Sequence, residues 1–151
     1  MVKDNFYDEY GYKNNLIIKT IKEPKDKLVK YIFEKITGLP KTKSLVLKSI
    51  YKDKIEKVKC IPLPLENYDM DGGFLLYTFK LIKVYEKISK EYKELDDDKV
   101  ISCILIANLG YLDYYNLDST FSLTDKAKKI SPMLLGLNIY FSIASKLIPF
   151  F

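Results

Sequence analysis

Apolar residues recur every three or four positions along most of this chain, the spacing of helices that bury one face. Leu28, Ile32 and Ile36, widened by Val29 and Phe33, predict a first helix over Pro24–Thr37. A proline suits its first turn, and Gly38 and Pro40 stop it. Leu45, Val46 and Ile50 predict a second helix over Thr42–Asp53. Ile61-Pro62-Leu63-Pro64-Leu65 cannot be helical, because each proline forces the residue before it into extended geometry. Beyond a loop holding Asp69, Asp71 and Gly72-Gly73, with Asp71 as the expected cap, one long helix runs from Gly73 to about Leu95. Its inward residues include Phe74, Tyr77, Thr78, Leu81, Tyr85, Ile88 and Tyr92.

Asp96-Asp97-Asp98 marks the next helix start, since carboxylates complement the positive end of the helix dipole. That helix, Lys99–Leu109, is apolar nearly all round, so it is expected at the centre of the fold with Cys103 buried; Gly110 ends it. Tyr111–Leu123 reads as a loop or small hairpin, and Thr124 caps a short helix over Asp125–Ile130. Ser131-Pro132 opens the last helix, with Leu135, Ile139, Ile143 and Leu147 facing the core. Met133–Phe151 holds 19 residues with one charge, Lys146, close to transmembrane length. Asn138, Ser142 and Ser145 interrupt it and Pro149 breaks it, so a core helix with a docked aromatic tail is expected and no membrane contact. The first 20 residues lack a period and are expected to form an arm or a short strand around Leu16-Ile17-Ile18. The expected fold is all-α, one domain over residues 1–151, with short hairpin or extended segments. Within it, residues 1–60 form a basic, helical N-terminal part.

Composition changes this picture in one respect. All 25 basic residues are lysine, with no arginine, histidine or tryptophan. Residues 1–60 carry 15 lysines against 8 acidic residues, net +7, and the remainder carries net −2. A lysine-rich half attracts phosphates or anionic surfaces through its summed field. Base reading and bidentate phosphate clamping are mostly arginine chemistry, so sequence-specific DNA recognition is disfavoured. Hydrophobic residues at 48% of the chain argue against disorder. Cys60 and Cys103 make neither a disulfide framework nor a zinc site. Met1–Tyr7 has no apolar signal-peptide region, so the cytoplasm is the expected compartment.

Without histidine there is no imidazole base, no Ser-His-Asp or Cys-His constellation and no ordinary zinc hydrolase site. No glycine-rich phosphate loop appears. Asn67-Tyr68-Asp69-Met70-Asp71-Gly72 opens like a calcium loop, but the twelfth position is Thr78 and prolines occupy the place of the entering helix. Asp96, Asp97 and Asp98 point in different directions from a helix start, which suits capping better than magnesium. Tyr111, Tyr114 and Tyr115 offer rings either for packing or for stacking on nucleobases.

A family likeness runs from Pro62 to Lys146. Pro64-Leu65-Glu66-Asn67-Tyr68-Asp69-Met70-Asp71-Gly72-Gly73-Phe74-Leu75-Leu76-Tyr77-Thr78 resembles the opening of an HD-type phosphohydrolase domain. In that family a proline-containing stretch leads into paired histidines and then Gly-Gly-Leu-Leu-x-His-Thr. Ile106-Ala107-Asn108-Leu109-Gly110-Tyr111 resembles Leu-Leu-His-Asp-Ile-Gly-Lys, and Phe121-Ser122-Leu123-Thr124-Asp125-Lys126-Ala127 resembles Tyr-Thr-Asp-Glu-Gly. Ser131-Pro132-Met133-Leu134-Leu135-Gly136 resembles Gly-His-Ile-x-Leu-Gly. HD-type relaxases of conjugative elements look closest, with HD exoribonucleases behind them. The likeness implies an all-α HD-like core over 62–146. It places the family's helix histidine on Tyr77, its His-Asp pair on Ala107-Asn108 and its later histidine on Pro132. Tyr68 or Asn67 stands where the upstream histidines would be. HD enzymes use these groups to hold metals that activate water against a phosphodiester, and here the donors are gone.

The resemblance therefore implies a catalytically inactive HD-like domain, a pseudoenzyme without metal or cofactor, acting as a binding or structural module. Its old pocket near Tyr77, Asn108 and Pro132 is expected to be filled by side chains such as Tyr77. Non-specific contact with nucleic-acid backbone is expected at Lys41, Lys43, Lys48, Lys52 and Lys54. One alternative is a protein-interaction or assembly subunit of a mobile-element or replication complex, docking on a partner or forming a homo-oligomer through Ile148-Pro149-Phe150-Phe151. Another is a magnesium-dependent phosphohydrolase using Asp69, Asp71 or Asp113.

Overall fold

The computed structural model describes residues 19–149 in full, together with the backbone of two short paired strands, β1 (Asn5–Phe6) and β2 (Glu9–Tyr10). The expected arm or strand at Leu16-Ile17-Ile18 and the Phe150-Phe151 tail lie outside the described residues. The other regular elements are helices: α1 (Lys25–Thr37), α2 (Lys41–Asp53), α3 (Ile55–Cys60), α4 (Gly73–Ile88), α5 (Asp97–Ala107) and α6 (Pro132–Leu147), with a 3-10 turn at Leu109–Asp113 before the last loop. None of the described helices is long and apolar enough to cross a membrane.

The all-α expectation holds, and each helix forms for a local reason. Leu28, Ile32 and Ile36 are the buried stripe of α1, and Val46, Leu47, Ile50 and Tyr51 are that of α2. Asp96 accepts from the Lys99 backbone N–H at 3.0 Å and Ser131 from that of Leu134 at 3.4 Å, capping α5 and α6. These stripes meet in one continuous core. The proline segment runs between α3 and α4 with its backbone groups satisfied: Leu63 N–H donates to the Tyr68 carbonyl, Gly72 N–H to Cys60 and Phe74 N–H to Ile61. Tyr115 and Leu123 form an antiparallel bridge, the small hairpin the sequence allowed.

Several expectations need correction. The central helix is α4, whose Phe74, Leu75 and Ile82 are wholly buried; α5 buries Ile101, Ser102 and Leu105 and leaves Cys103 exposed. The uniform apolarity of α5 gave no sign of which side would find neighbours. Helix α4 stops at Ile88, and residues 89–96 form turns. Beyond Ile88 the apolar positions meet no partner, and Tyr92 and Leu95 stand 54% and 40% exposed. Asp125–Ile130 makes turns, although Thr124 Oγ1 does accept from Ala127 N–H at 3.1 Å as a cap would. Pro132, opening the next helix, leaves the segment too short to nucleate. Leu147 is 36% exposed at the end of α6. Asp71 does not cap α4, since its carboxylate is drawn sideways to Lys25 and Thr20.

Two backbone contacts set the spacing of the layers. A Cβ at Gly110 would stand 1.6 Å from the Pro132 carbonyl oxygen and 2.8 Å from the Gly136 nitrogen. A Cβ at Gly73 would stand 1.7 Å from the Tyr68 carbonyl oxygen. Only glycine admits either approach. Gly110→Ala is expected to destabilise the protein by about 3 kcal/mol or more in urea unfolding, because α6 must move bodily. Gly38→Ala serves as the control: its Cβ meets nothing closer than the Lys35 carbonyl oxygen at 3.6 Å, so its midpoint should stay near that of the unmodified protein.

Candidate functional site

The four positions where the likeness places metal ligands fall at helix ends and edges. Tyr77, on α4, packs edge-on against Tyr68 with ring centroids 5.0 Å apart, and the Lys80 ammonium lies 5.9 Å from the Tyr68 ring centre. Ala107 is the exposed last residue of α5, Asn108 is its C-cap, and Pro132 is the first residue of α6. Gly110 brings the turn after Asn108 against the carbonyl of Pro132. The main clefts of the molecule are lined by other residues. Among the described residues no three acidic or cysteine side chains converge.

Of the three candidate magnesium carboxylates, two are held by lysines. Asp71 Oδ2 accepts from Lys25 Nζ at 2.7 Å and from Thr20 Oγ1 at 2.6 Å. Partial burial alone would raise its pKa, but these donors outweigh it and hold the carboxyl below its ordinary range. Asp113, in the 3-10 turn, meets Lys54 Nζ at 2.8 Å and Lys126 Nζ at 3.7 Å. Burial is again opposed by the Lys54 hydrogen bond and by the charges of Lys54, Lys126 and Lys57, with the same net lowering. Asp69 is exposed beside a cleft of about 290 Å³ whose walls include Tyr115 and Phe121. The aspartate triplet diverges as expected: Asp96 caps α5 and Asp97 accepts from Tyr85 Oη at 2.5 Å. Tyr111, Tyr114 and Tyr115 pack on one another, with centroids 5.3–6.5 Å apart.

The five candidate lysines separate into two groups. Lys54 is committed to Asp113. Hydrogen bonds from the Lys99 backbone N–H and ammonium hold the Asp96 carboxyl below its ordinary range, and the charge of Lys43 on α2 adds to them. Lys41, Lys48 and Lys52 fall within about 40° of one another around α2, with half-exposed Leu45 on the same side. Among the described residues no carboxylate pairs with these three. They span about 16 Å along the helix. The start of α2 sharpens the arrangement: Pro40 supplies no side-chain cap, the first turn holds no acidic residue, and Lys41 and Lys43 stand against the positive end of the dipole.

Sequence reasoning missed a cleft of about 650 Å³ between the C-terminal ends of α1 and α4 and the start of α5. On its wall Glu86 accepts from Tyr31 Oη and from Lys35 Nζ at 2.9 Å, with Lys83 Nζ at 3.2 Å. Partial burial would raise the Glu86 pKa, but the three donors bring it down to about 2. Burial, reinforced by Glu86, pushes the Tyr31 phenol up. Tyr31 and Glu86 are 55 residues apart, and neither segment carries a mark of the pairing. Lys35, Lys83, Lys87 and Lys90 line this cleft together with Glu34, Glu86, Asp97 and Asp98, so the formal charges of its walls sum to zero.

The network is a stability element with a defined pH signature. The folded carboxyl of Glu86 holds its proton more weakly than in the unfolded chain, so its contribution is complete above pH about 4.5 and fades as pH falls toward 2. Glu86→Gln should therefore lower the urea midpoint at pH 7 and narrow its gap from the unmodified protein as pH drops through that window. A gap that stays constant with pH counts against the ionised network.

No family model, no curated protein and no solved structure matches this chain significantly.

Proposed function

We propose that this protein is a non-catalytic, HD-like helical module that contacts nucleic-acid backbone through the outer face of α2. The observation that carries the reading is the row Lys41, Lys48 and Lys52, aligned on one face and left without carboxylate partners among the described residues. Over about 16 Å one strand of duplex DNA presents roughly five phosphates, so three lysines on flexible stems can each reach one. The uncapped, lysine-bearing start of α2 breaks a local rule of helix stability, and an anion bound there relieves it. Lysines make point contacts with phosphate and arginine is lacking, so the contact is blind to sequence.

The non-catalytic half of the proposal rests on side-chain chemistry. Alanine and proline offer no donor atom, Asn108 is a poor substitute for a carboxylate, and the ring of Tyr77 is packed on Tyr68. The free thiols of Cys60 and Cys103 suit a reducing compartment such as the cytoplasm. Isothermal calorimetry with manganese at millimolar concentration is expected to give no heat of binding above dilution; a saturable site would revive the metal-dependent alternative.

Titration of labelled single- and double-stranded oligonucleotides should give sequence-independent binding. Its logarithm should fall with the logarithm of salt with a slope of about −2.7 for duplex and −2.1 for single strands. Replacing Lys41, Lys48 and Lys52 together by glutamine should abolish that binding and leave thermal unfolding intact. Absence of binding at low salt, or binding undiminished in the triple variant, refutes the role of this face.

A further inference from the structure

We infer that the cleft between residues 62–70 and the loop around Phe121 receives an arginine side chain of another protein. The cleft holds about 290 Å³, with apolar walls from Pro62, Pro64, Met70, Tyr115 and Phe121. Asp69 is the one charged side chain in its lining. The hydroxyl of Thr120, also at the cleft, is already bonded to Asp118 at 3.1 Å. A concave, mostly apolar surface with a single polar group to fix orientation is the usual form of a ligand site.

Two independent features set this cleft apart. The first is backbone strain. Among the described residues the only non-glycine positions at positive φ are Asn67 at 70° and Phe121 at 51°, and both lie in the loops that build the cleft. Asparagine tolerates that region, but a bulky aromatic residue rarely enters it. Phe121 is held there by its neighbours. The Asp118 carboxylate accepts from the N–H groups of Thr120 at 3.0 Å and Ser122 at 2.9 Å and from both their hydroxyls. Phe121 N–H donates to the Asp118 carbonyl at 3.2 Å. Strain imposed in this way is characteristic of ligand clamps. Among the described residues the Phe121 ring meets no other ring. The second feature is the Asp69 carboxylate, which has no cationic partner among the described residues although the chain holds 25 lysines.

The chemistry of the cleft selects the occupant. Its charge calls for a cation, and its walls for one that leaves water readily. A lysine ammonium is compact and strongly hydrated. A guanidinium is planar and weakly hydrated, forks onto both oxygens of a carboxylate and stacks on aromatic faces. Ring and carboxylate are neighbours here, since burial first, then Tyr111, Tyr114 and the Asp69 charge, push the Tyr115 phenol up. The chain itself contains no arginine, so the guanidinium comes from another molecule. Free arginine would also bring an α-carboxylate, and no cation lines the cleft to receive it. Within a polypeptide that group is an amide.

Amide proton–nitrogen correlation spectra of the full chain, titrated with N-acetylarginine amide, test this. The expected result is a saturable shift confined to amides near Asp69 and Phe121, with a dissociation constant on the order of 1 mM. N-acetyllysine amide and tetramethylammonium should bind about fivefold more weakly, and free arginine no more tightly than the blocked form. Asp69→Asn should weaken binding about tenfold and Phe121→Leu about threefold, with urea midpoints close to that of the unmodified protein. No saturable shift up to about 20 mM overturns the inference, as do shifts centred elsewhere. So does equal binding of the lysine or tetramethylammonium probe, tighter binding of free arginine, or binding undiminished in Asp69→Asn.

Discussion

In the 3-10 turn Gly110 lies backbone against backbone with Pro132 and Gly136 of α6, with no room for a Cβ between them. Much of the structure follows from it. With the turn seated there, Leu109 and Leu112 are sealed from solvent, and Asp113 reaches across to Lys54 just past α2. Helix α6, fixed on one side by the turn, packs on α2 with the other part of its buried face. The orientation of α2, and so the direction in which Lys41, Lys48 and Lys52 point, depends on a contact that a single methyl group would force apart. Gly73 plays the same part for α4, letting the central helix begin directly against the Tyr68 carbonyl.

Lysine does all the cationic work in this protein. Its head is a compact, strongly hydrated charge, so the ties it makes sit at the edges of the core: Lys25 to Asp71, Lys35 to Glu86 and Lys54 to Asp113 are each partly solvated. Each joins segments far apart in sequence, and each consumes a carboxylate that would otherwise be open to a cation. Among the described residues the same economy of pairing leaves the α2 row without carboxylate partners. A surface lysine near a carboxylate is ordinary; three aligned on one helix face, the first of them at the end where the dipole opposes it, are not what stability alone selects.

Much of the fold was legible because it rests on periodicity. The stripe of α1, most of those of α2 and α6, and the caps Asp96 and Ser131 stand where three- and four-residue spacing and capping chemistry put them, while Leu45 and Leu147, expected inward, are 47% and 36% exposed. What periodicity does not carry is the identity of the neighbour. Ile88, Tyr92 and Leu95 continue the rhythm of α4 past the point where anything covers them, and Cys103 sits in an apolar run on the side of α5 that faces out. At the candidate site the three lysines were legible as a basic segment, whereas the loss of Lys54 to Asp113 was not, since the two are 59 residues apart. The Tyr31–Glu86 network was illegible for the same reason.

The residues at the four ligand positions implied by the HD likeness are those that local helix physics would choose with no ligand to hold. Alanine, the best helix former, ends α5; asparagine, tolerant of irregular geometry, follows it at φ −108° and ψ 9°; proline takes the first turn of α6, where its missing N–H is harmless. Tyr77 gives its ring to Tyr68. A metal site demands the opposite: donor atoms held against their own preferences by a shell of supporting hydrogen bonds. On the reading proposed for this chain, release from that demand leaves the frame intact, because the frame depends on Gly73, Gly110 and Gly136 and on the apolar stripes rather than on any ligand. A further departure from local preference is the pair of lysines, Lys41 and Lys43, at the uncapped start of α2. On the function proposed, an anionic backbone bound there offsets the unfavourable contact with the dipole.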